Sequence, residues 1–242
     1  MIHNVLGGVC VLYGPPGCFK TFIAIGMGVA VASGKPWLGN TTQQGPVLYC
    51  LGEGGRAMFN RRATTAAMRE KVDPTTLQLW MTDHMVDMSS PEKLDAWWPE
   101  WDLIAPRLVV IDTLSRCMPG DENTQEAMQG FVASADAVRK RYDSAVLILH
   151  HENKAAGMRG STVLPGAVDV TLHIERRQSA GIHVKMKAEK LRDLDAEEFP
   201  TQELTGVVYP VVDANGVACV DEFGDTVKTV VFQDDQIEAM TA

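Results

Sequence analysis

The stretch YGPPGCFKTF, residues 13–22, decides the fold. Before it stands VCVLY, residues 9–13, a short apolar run. After it comes TFIAIGMGVAVASG, whose apolar residues keep helical spacing up to a glycine stop at Gly34. Strand, glycine loop and helix in this order make a phosphate loop, in which backbone N–H groups and a helix N-terminus converge on the β and γ phosphates of a nucleotide. Lysine adds charge there, and a Ser or Thr hydroxyl binds magnesium. Gly14, Lys20 and Thr21 keep the spacing that this chemistry needs. Gly14, Pro15, Pro16, Gly17, Cys18, Phe19, Lys20, Thr21 and Phe22 are therefore the expected ATP-binding residues. Phe19 stands where the usual pattern has glycine. If that position takes φ > 0, a side chain there costs about 1–2 kcal/mol, which a large domain tolerates. The loop is expected to be strained or reshaped, and still functional.

Working outward, GPVLYCLGEGG gives a second buried strand over 47–51, closed by Glu53 among glycines, and RAMFNRRATTAAMREKV reads as a helix. A third strand is expected at 77–81 and a Trp-bearing helix over about 91–103. RLVVIDT is four apolar residues closed by Asp112; AVLILHH is five closed by His150 and His151; an amphipathic helix lies between them. Continuous apolar strands alternating with helices indicate a parallel sheet covered on both faces. From DVTLHIER onward the pattern changes to period two, with Asn215-Gly216 marking a hairpin turn. The expected fold class is α/β: a mostly parallel central sheet flanked by helices, with a C-terminal antiparallel β extension.

Asp112, at the carboxyl end of a strand, is placed to hold magnesium through water. Glu53 is the acidic residue best placed to orient and deprotonate an attacking water, against the plainer reading of a turn or cap residue. His150 and His151 end a neighbouring strand, where either could sense the γ phosphate or simply be satisfied at the strand terminus. Trp97, Trp98 and Trp101 are expected to pack a helix onto the sheet, with a partner-docking patch as the alternative.

The 242 residues are 45% hydrophobic, enough for one large domain. No run approaches the roughly 20 apolar residues of a membrane span, and no export signal opens the chain. Five cysteines at 10, 18, 50, 117 and 219 lack metal-site spacing and read as reduced cytoplasmic thiols. A net charge of −9 disfavours a broad basic face for duplex DNA, but leaves room for a few loop cations on a single strand.

Together, GPPGCFKTF, VLYCLGEGG, LVVIDTLSRCMPGDENTQEAM, VLILHHENKAAGMRGSTVLPGAVD and KAEKLRD resemble the successive motifs of the RepA-like branch of RecA-type ATPases, found among plasmid and phage replicative helicases. The similarity spans about 5–195, and Phe19 matches the phosphate loops of that branch. The resemblance implies a RecA-like P-loop core in a single domain over 1–242, with the β extension over about 196–242. It also implies ATP and Mg2+ as cofactors, Lys20 and Thr21 on phosphate and metal, Glu53 as base, Asp112 as the Walker B carboxylate on the metal and His151, or His150, as sensor. Lys190 and Arg192 resemble the paired basic residues that ring helicases supply to a neighbour's γ phosphate, while Lys154 and Arg159 lie in a loop that would touch single-stranded DNA.

The implied function is an oligomeric, hexameric-ring motor on single-stranded DNA, a helicase or translocase in the cytoplasm of a bacterium, phage- or plasmid-encoded or chromosomal. The alternative is a nucleotide-gated DNA-binding or recombination mediator without unwinding activity. About eight residues precede the first strand and no separate DNA-binding domain follows, so replication or recombination partner proteins are expected.

Overall fold

A computed structural model describes residues 8–52, 54–153, 157–192, 200–213 and 215–234. Nine strands form one sheet in the order β3-β2-β4-β5-β1-β6-β7-β8-β9. The chain runs β1 (Val9–Gly14), α1 (Lys20–Ser33), β2 (Val47–Leu51), α2 (Gly55–Arg69), β3 (Leu79–Met81), α3 (Trp98–Ile104) and β4 (Leu108–Asp112). It continues through α4 (Leu114–Cys117), α5 (Gln125–Tyr142), β5 (Ala145–His151), α6 (Val163–Ala167), β6 (Val170–Arg176), β7 (Ile182–Leu191), β8 (Gln202–Pro210) and β9 (Lys228–Asp234). Strands β3, β2, β4, β5, β1 and β6 pair in parallel; β7, β8 and β9 add on antiparallel. The fold is the expected α/β class, consistent with a RecA-like P-loop core.

The parallel strands β1, β2, β4 and β5 read as unbroken apolar runs because both of their faces are covered. On one face, Leu12, Tyr49, Val110 and Leu149 pack beneath α1 and α2. On the other, Val11, Leu48, Ile111 and Ile148 pack against Phe131 and Val138 of α5. Alternate residues of one strand thus serve two separate cores.

One expectation needs correction in detail. The helix expected over 91–103 is divided into a 3-10 turn, Pro91–Leu94, and α3. Pro99 is the reason: with no N–H to give, it is tolerated only in a helix's first turn, so α3 has to start just ahead of it. The C-terminal antiparallel strands are as expected: β7 pairs with β6, and β7, β8 and β9 extend the central sheet. The division expected near 195 falls outside the described residues.

The turn at Asn215-Gly216 is present. Gly216 has φ 80°, and its N–H donates to the Asp213 carbonyl at 3.0 Å. Trp101 is fully buried, with the Trp97 and Trp98 rings 6.0 and 5.8 Å away, so the tryptophans pack α3 onto the sheet. Among the described residues no helix is long and apolar enough to cross a membrane.

Candidate functional site

The loop leaves β1 at Gly14 and ends at Phe19, which caps α1 with φ 69° and ψ 20°, the left-handed conformation that glycine ordinarily supplies. Packing compensates for that cost. The Phe19 ring lies 5.7 Å from Phe22 and 5.7 Å from Phe232 of β9, and the Arg176 guanidinium sits 5.4 Å from its centroid. The last strand of the sheet therefore holds the one residue of the loop that breaks the pattern.

Lys20 is buried, and its ammonium donates to the carbonyls of Gly14 and Pro15, both at 2.9 Å. The amine is folded back over the concavity where phosphate oxygens would replace those carbonyls. Cys18 Sγ lies 3.6 Å from the same nitrogen. Burial raises the Cys18 thiol pKa, and the Lys20 charge only partly opposes it.

Asp112 is 2% exposed and points to the α1 side of the sheet, as the alternation along β4 requires. Its Oδ2 accepts a 2.7 Å hydrogen bond from the Tyr49 hydroxyl on the neighbouring strand β2. Burial and the adjacent Asp112 carboxylate hold the Tyr49 hydroxyl well above its usual pKa, so it remains a donor. Sequence reasoning missed Tyr49, because its partner is set by strand order and nothing local in VLYCL marks it.

Glu53 lies outside the described residues, but its neighbour does not. The Gly52 N–H donates to the Asp112 carbonyl at 2.6 Å, and a Cβ at Gly52 would come within 2.5 Å of Arg116 Cβ. Only glycine permits this approach, which ties the chain just before Glu53 to the end of β4.

The two histidines separate by one residue of register. His151 pairs with Gly14 and lies on the α1 side with Leu147 and Leu149. His150 points the other way, is 1% exposed, and its Nε2 is 2.6 Å from the Arg159 carbonyl oxygen. Burial lowers its pKa, so the ring is neutral at pH 7.

The loop after β5, which carries Arg159, is joined to the loop after β4. Arg159 Nε meets Glu122 Oε1 at 2.5 Å, and the Ser161 N–H donates to the Glu122 carbonyl at 3.0 Å. Lys154 lies outside the described residues.

Lys190 and Arg192 sit far from the loop of their own chain. The Lys190 ammonium donates to the carbonyls of Pro165, Gly166 and Val168 at 2.9, 3.2 and 2.7 Å, holding the end of α6. Arg192 pairs with Asp169 at 2.5 Å, and the Asp169 carboxylate in turn accepts the Val9 N–H at 2.9 Å. Arg192 therefore stands at the start of β1, five residues or about 17 Å along the strand from Gly14.

A strand ending in a glycine loop, a lysine on the first turn of the next helix and a carboxylate two strands away lie on one face of the sheet, an arrangement suited to the phosphates of a nucleotide. Comparison with known families matches residues 1–157 to the AAA domain. The chain belongs to this family. The match takes in β1 through β5 and so every element that carries Lys20, Thr21 and Asp112, and it supports an ATPase of the P-loop kind. The AAA-domain match stops short of β6 to β9, and so of Lys190 on β7, Arg192 just after it and the Phe232 contact on β9.

Proposed function

We propose that this AAA domain is an ATP-hydrolysing motor of the RepA-like kind, acting on single-stranded DNA as a homo-oligomer, in a hexameric ring. The observation that carries the ATPase reading is the convergence of Lys20, Asp112 and His151 on the α1 side of the sheet, beside the loop that starts at Gly14. Mg2+ suits the residues present, since the buried Asp112 carboxylate and the Thr21 hydroxyl are hard oxygen donors. When bound, it would neutralise charge on the β and γ phosphates.

The chain's own groups act in order. The Lys20 ammonium exchanges the Gly14 and Pro15 carbonyls for phosphate oxygens. Glu53 orients the attacking water and takes its proton, and His151 reads the γ phosphate through its imidazole. Because Arg192 and Lys190 are remote from their own loop, they act on a neighbour's γ phosphate, which makes turnover depend on assembly. Arg159 and Lys154 contact the DNA backbone, Arg159 by leaving Glu122 for a phosphate.

The Arg159–Glu122 pair also supports a second reading, a nucleotide-gated DNA-binding or recombination mediator ATPase that does not unwind, because it occupies a cation that a translocating motor needs at every step. The test is steady-state hydrolysis with Mg2+, with and without single-stranded DNA, over a range of protein concentrations. DNA stimulation and specific activity rising with assembly are expected, and Lys20→Ala should abolish turnover. Hydrolysis indifferent to both DNA and concentration overturns the motor. Normal turnover in Lys20→Ala overturns the site.

A further inference from the structure

Starting at Phe22, just past the phosphate loop, a cavity of about 580 Å³ runs along the outer flank of α1. That volume lies in the range of about 300–1,000 Å³ typical of small-molecule sites. α1 contributes Phe22, Gly26, Val29 and Ala30, and α2 contributes Arg62, Ala66 and Arg69. Each set follows helical spacing, so two helix faces look at one another across the space. Trp37 closes one end and Val231 and Phe232 of β9 form another wall.

This flank explains why α1 is apolar around nearly its whole circumference. One side packs on the sheet, and the other lines the cavity. Gly26, unfavourable in a helix interior, keeps the space open: a Cβ there would stand 3.3 Å from Trp37 Nε1.

The polar groups of the cavity are mostly of one sign. Arg62, Arg69 and Lys35 line it against the single acid Glu70, in a chain whose net charge is −9. The Arg62 guanidinium is half-buried, 4.3 Å above the Phe22 ring; the Asp112 carboxylate acts on its charge, but among the described residues no carboxylate lies within ion-pairing distance of it. Arg69 lies 4.1 Å above the Tyr209 ring, and the Lys35 ammonium donates to the Glu70 carbonyl at 2.5 Å. A half-buried cation stacked on an aromatic ring, with an apolar chamber behind it, complements a ligand of matching build.

We propose that the cavity between α1, α2 and β9 binds a small amphiphile, an apolar or aromatic body with one anionic head, the head held by Arg62 and Arg69 and the body seated on Gly26, Ala30 and Trp37. The cavity adjoins the nucleotide site through Phe22 and Arg62, and the amphiphile makes no use of DNA, so the proposal stands whether or not the chain is a DNA motor.

Two probes test it by fluorescence titration: 8-anilinonaphthalene-1-sulfonate, which carries the anionic head, and the neutral N-phenyl-1-naphthylamine, which lacks it. Expected is saturable 1:1 binding of the sulfonate, displaced by sodium dodecanoate, in protein whose near-UV circular dichroism is that of the folded state. Ala30→Leu, which fills the chamber, should weaken both probes by about tenfold or more. Arg62→Gln with Arg69→Gln should weaken the sulfonate by about tenfold and leave the neutral probe unchanged, since charge-assisted hydrogen bonds are of that magnitude. If Ala30→Leu does not fold, Gly26→Ala narrows the same chamber with one carbon.

Undiminished sulfonate binding in the filled variant, or equal loss of both probes in the arginine variant, overturns the proposal. So does an Ala30→Leu protein that binds the probes normally but sediments at a different mass, which would make this flank a contact between copies of the chain.

Discussion

Inside a helix alanine is better than glycine, but Phe19 caps the start of α1 in the left-handed conformation, where the order is the opposite. Its φ of 69° costs an L-residue about 1–2 kcal/mol, and glycine nothing. Phe19→Ala keeps this cost and loses the ring contacts to Phe22, Phe232 and Arg176. For a half-buried ring that loss is about 2 kcal/mol, well below the value for a fully buried phenylalanine. Phe19→Gly loses the same contacts but relieves the backbone, while adding about 0.4–1 kcal/mol of freedom to the unfolded chain. The glycine variant should therefore be the more stable of the two by about 0.5–1 kcal/mol, or about 1–4 °C in Tm for a chain of this length. Urea denaturation of the two variants side by side gives the answer. An alanine variant as stable as the glycine one, or more so, would refute the left-handed geometry of the loop.

Tyr49→Phe removes one of the bonds that hold Asp112, should cost about 1–3 kcal/mol by urea midpoint, and should raise the Mg2+ concentration needed for half-maximal hydrolysis. A variant unchanged in both measurements would show that Asp112 is held without it. Burial and a raised pKa make Cys18 inert, so iodoacetamide at pH 8 should modify the partly exposed Cys219 well before Cys18, as read by mass spectrometry of the peptides. His150 has a depressed pKa in the folded chain. Above about pH 6.5 it is neutral in both states, and below that the unfolded chain takes up the proton first, so stability should fall as pH drops from about 6.5 toward the folded pKa. His150→Gln should flatten the stability curve in that window, and an unchanged slope would assign it to other groups.

The phosphate loop was legible because its chemistry is local: glycines, a lysine and a threonine at fixed spacing between an apolar strand and a helix. Asp112 was legible for a related reason, as the first polar residue after a buried run. What the sequence left hidden depends on contacts between distant segments. Whether His150 or His151 faces the loop turns on one residue of strand register, and both read alike in AVLILHH. Tyr49 meets Asp112 only because β2 lies beside β4, and Phe19 is held only because β9 returns to α1. The position of Arg192, opposite the loop end of β1, follows from β7 running antiparallel to β6, a direction that KLRD does not reveal.

The Phe19–Phe232 contact also bears on the order in which the molecule can be made. At about 5–20 residues per second, the stretch between these two rings takes about 10–40 s to synthesise. Throughout that time the nascent chain carries a phosphate loop whose phenylalanine has its backbone cost but not its ring partner on β9. The phosphate loop is therefore made long before the strand that steadies it, and a nucleotide held by that loop would report that β9 has been made.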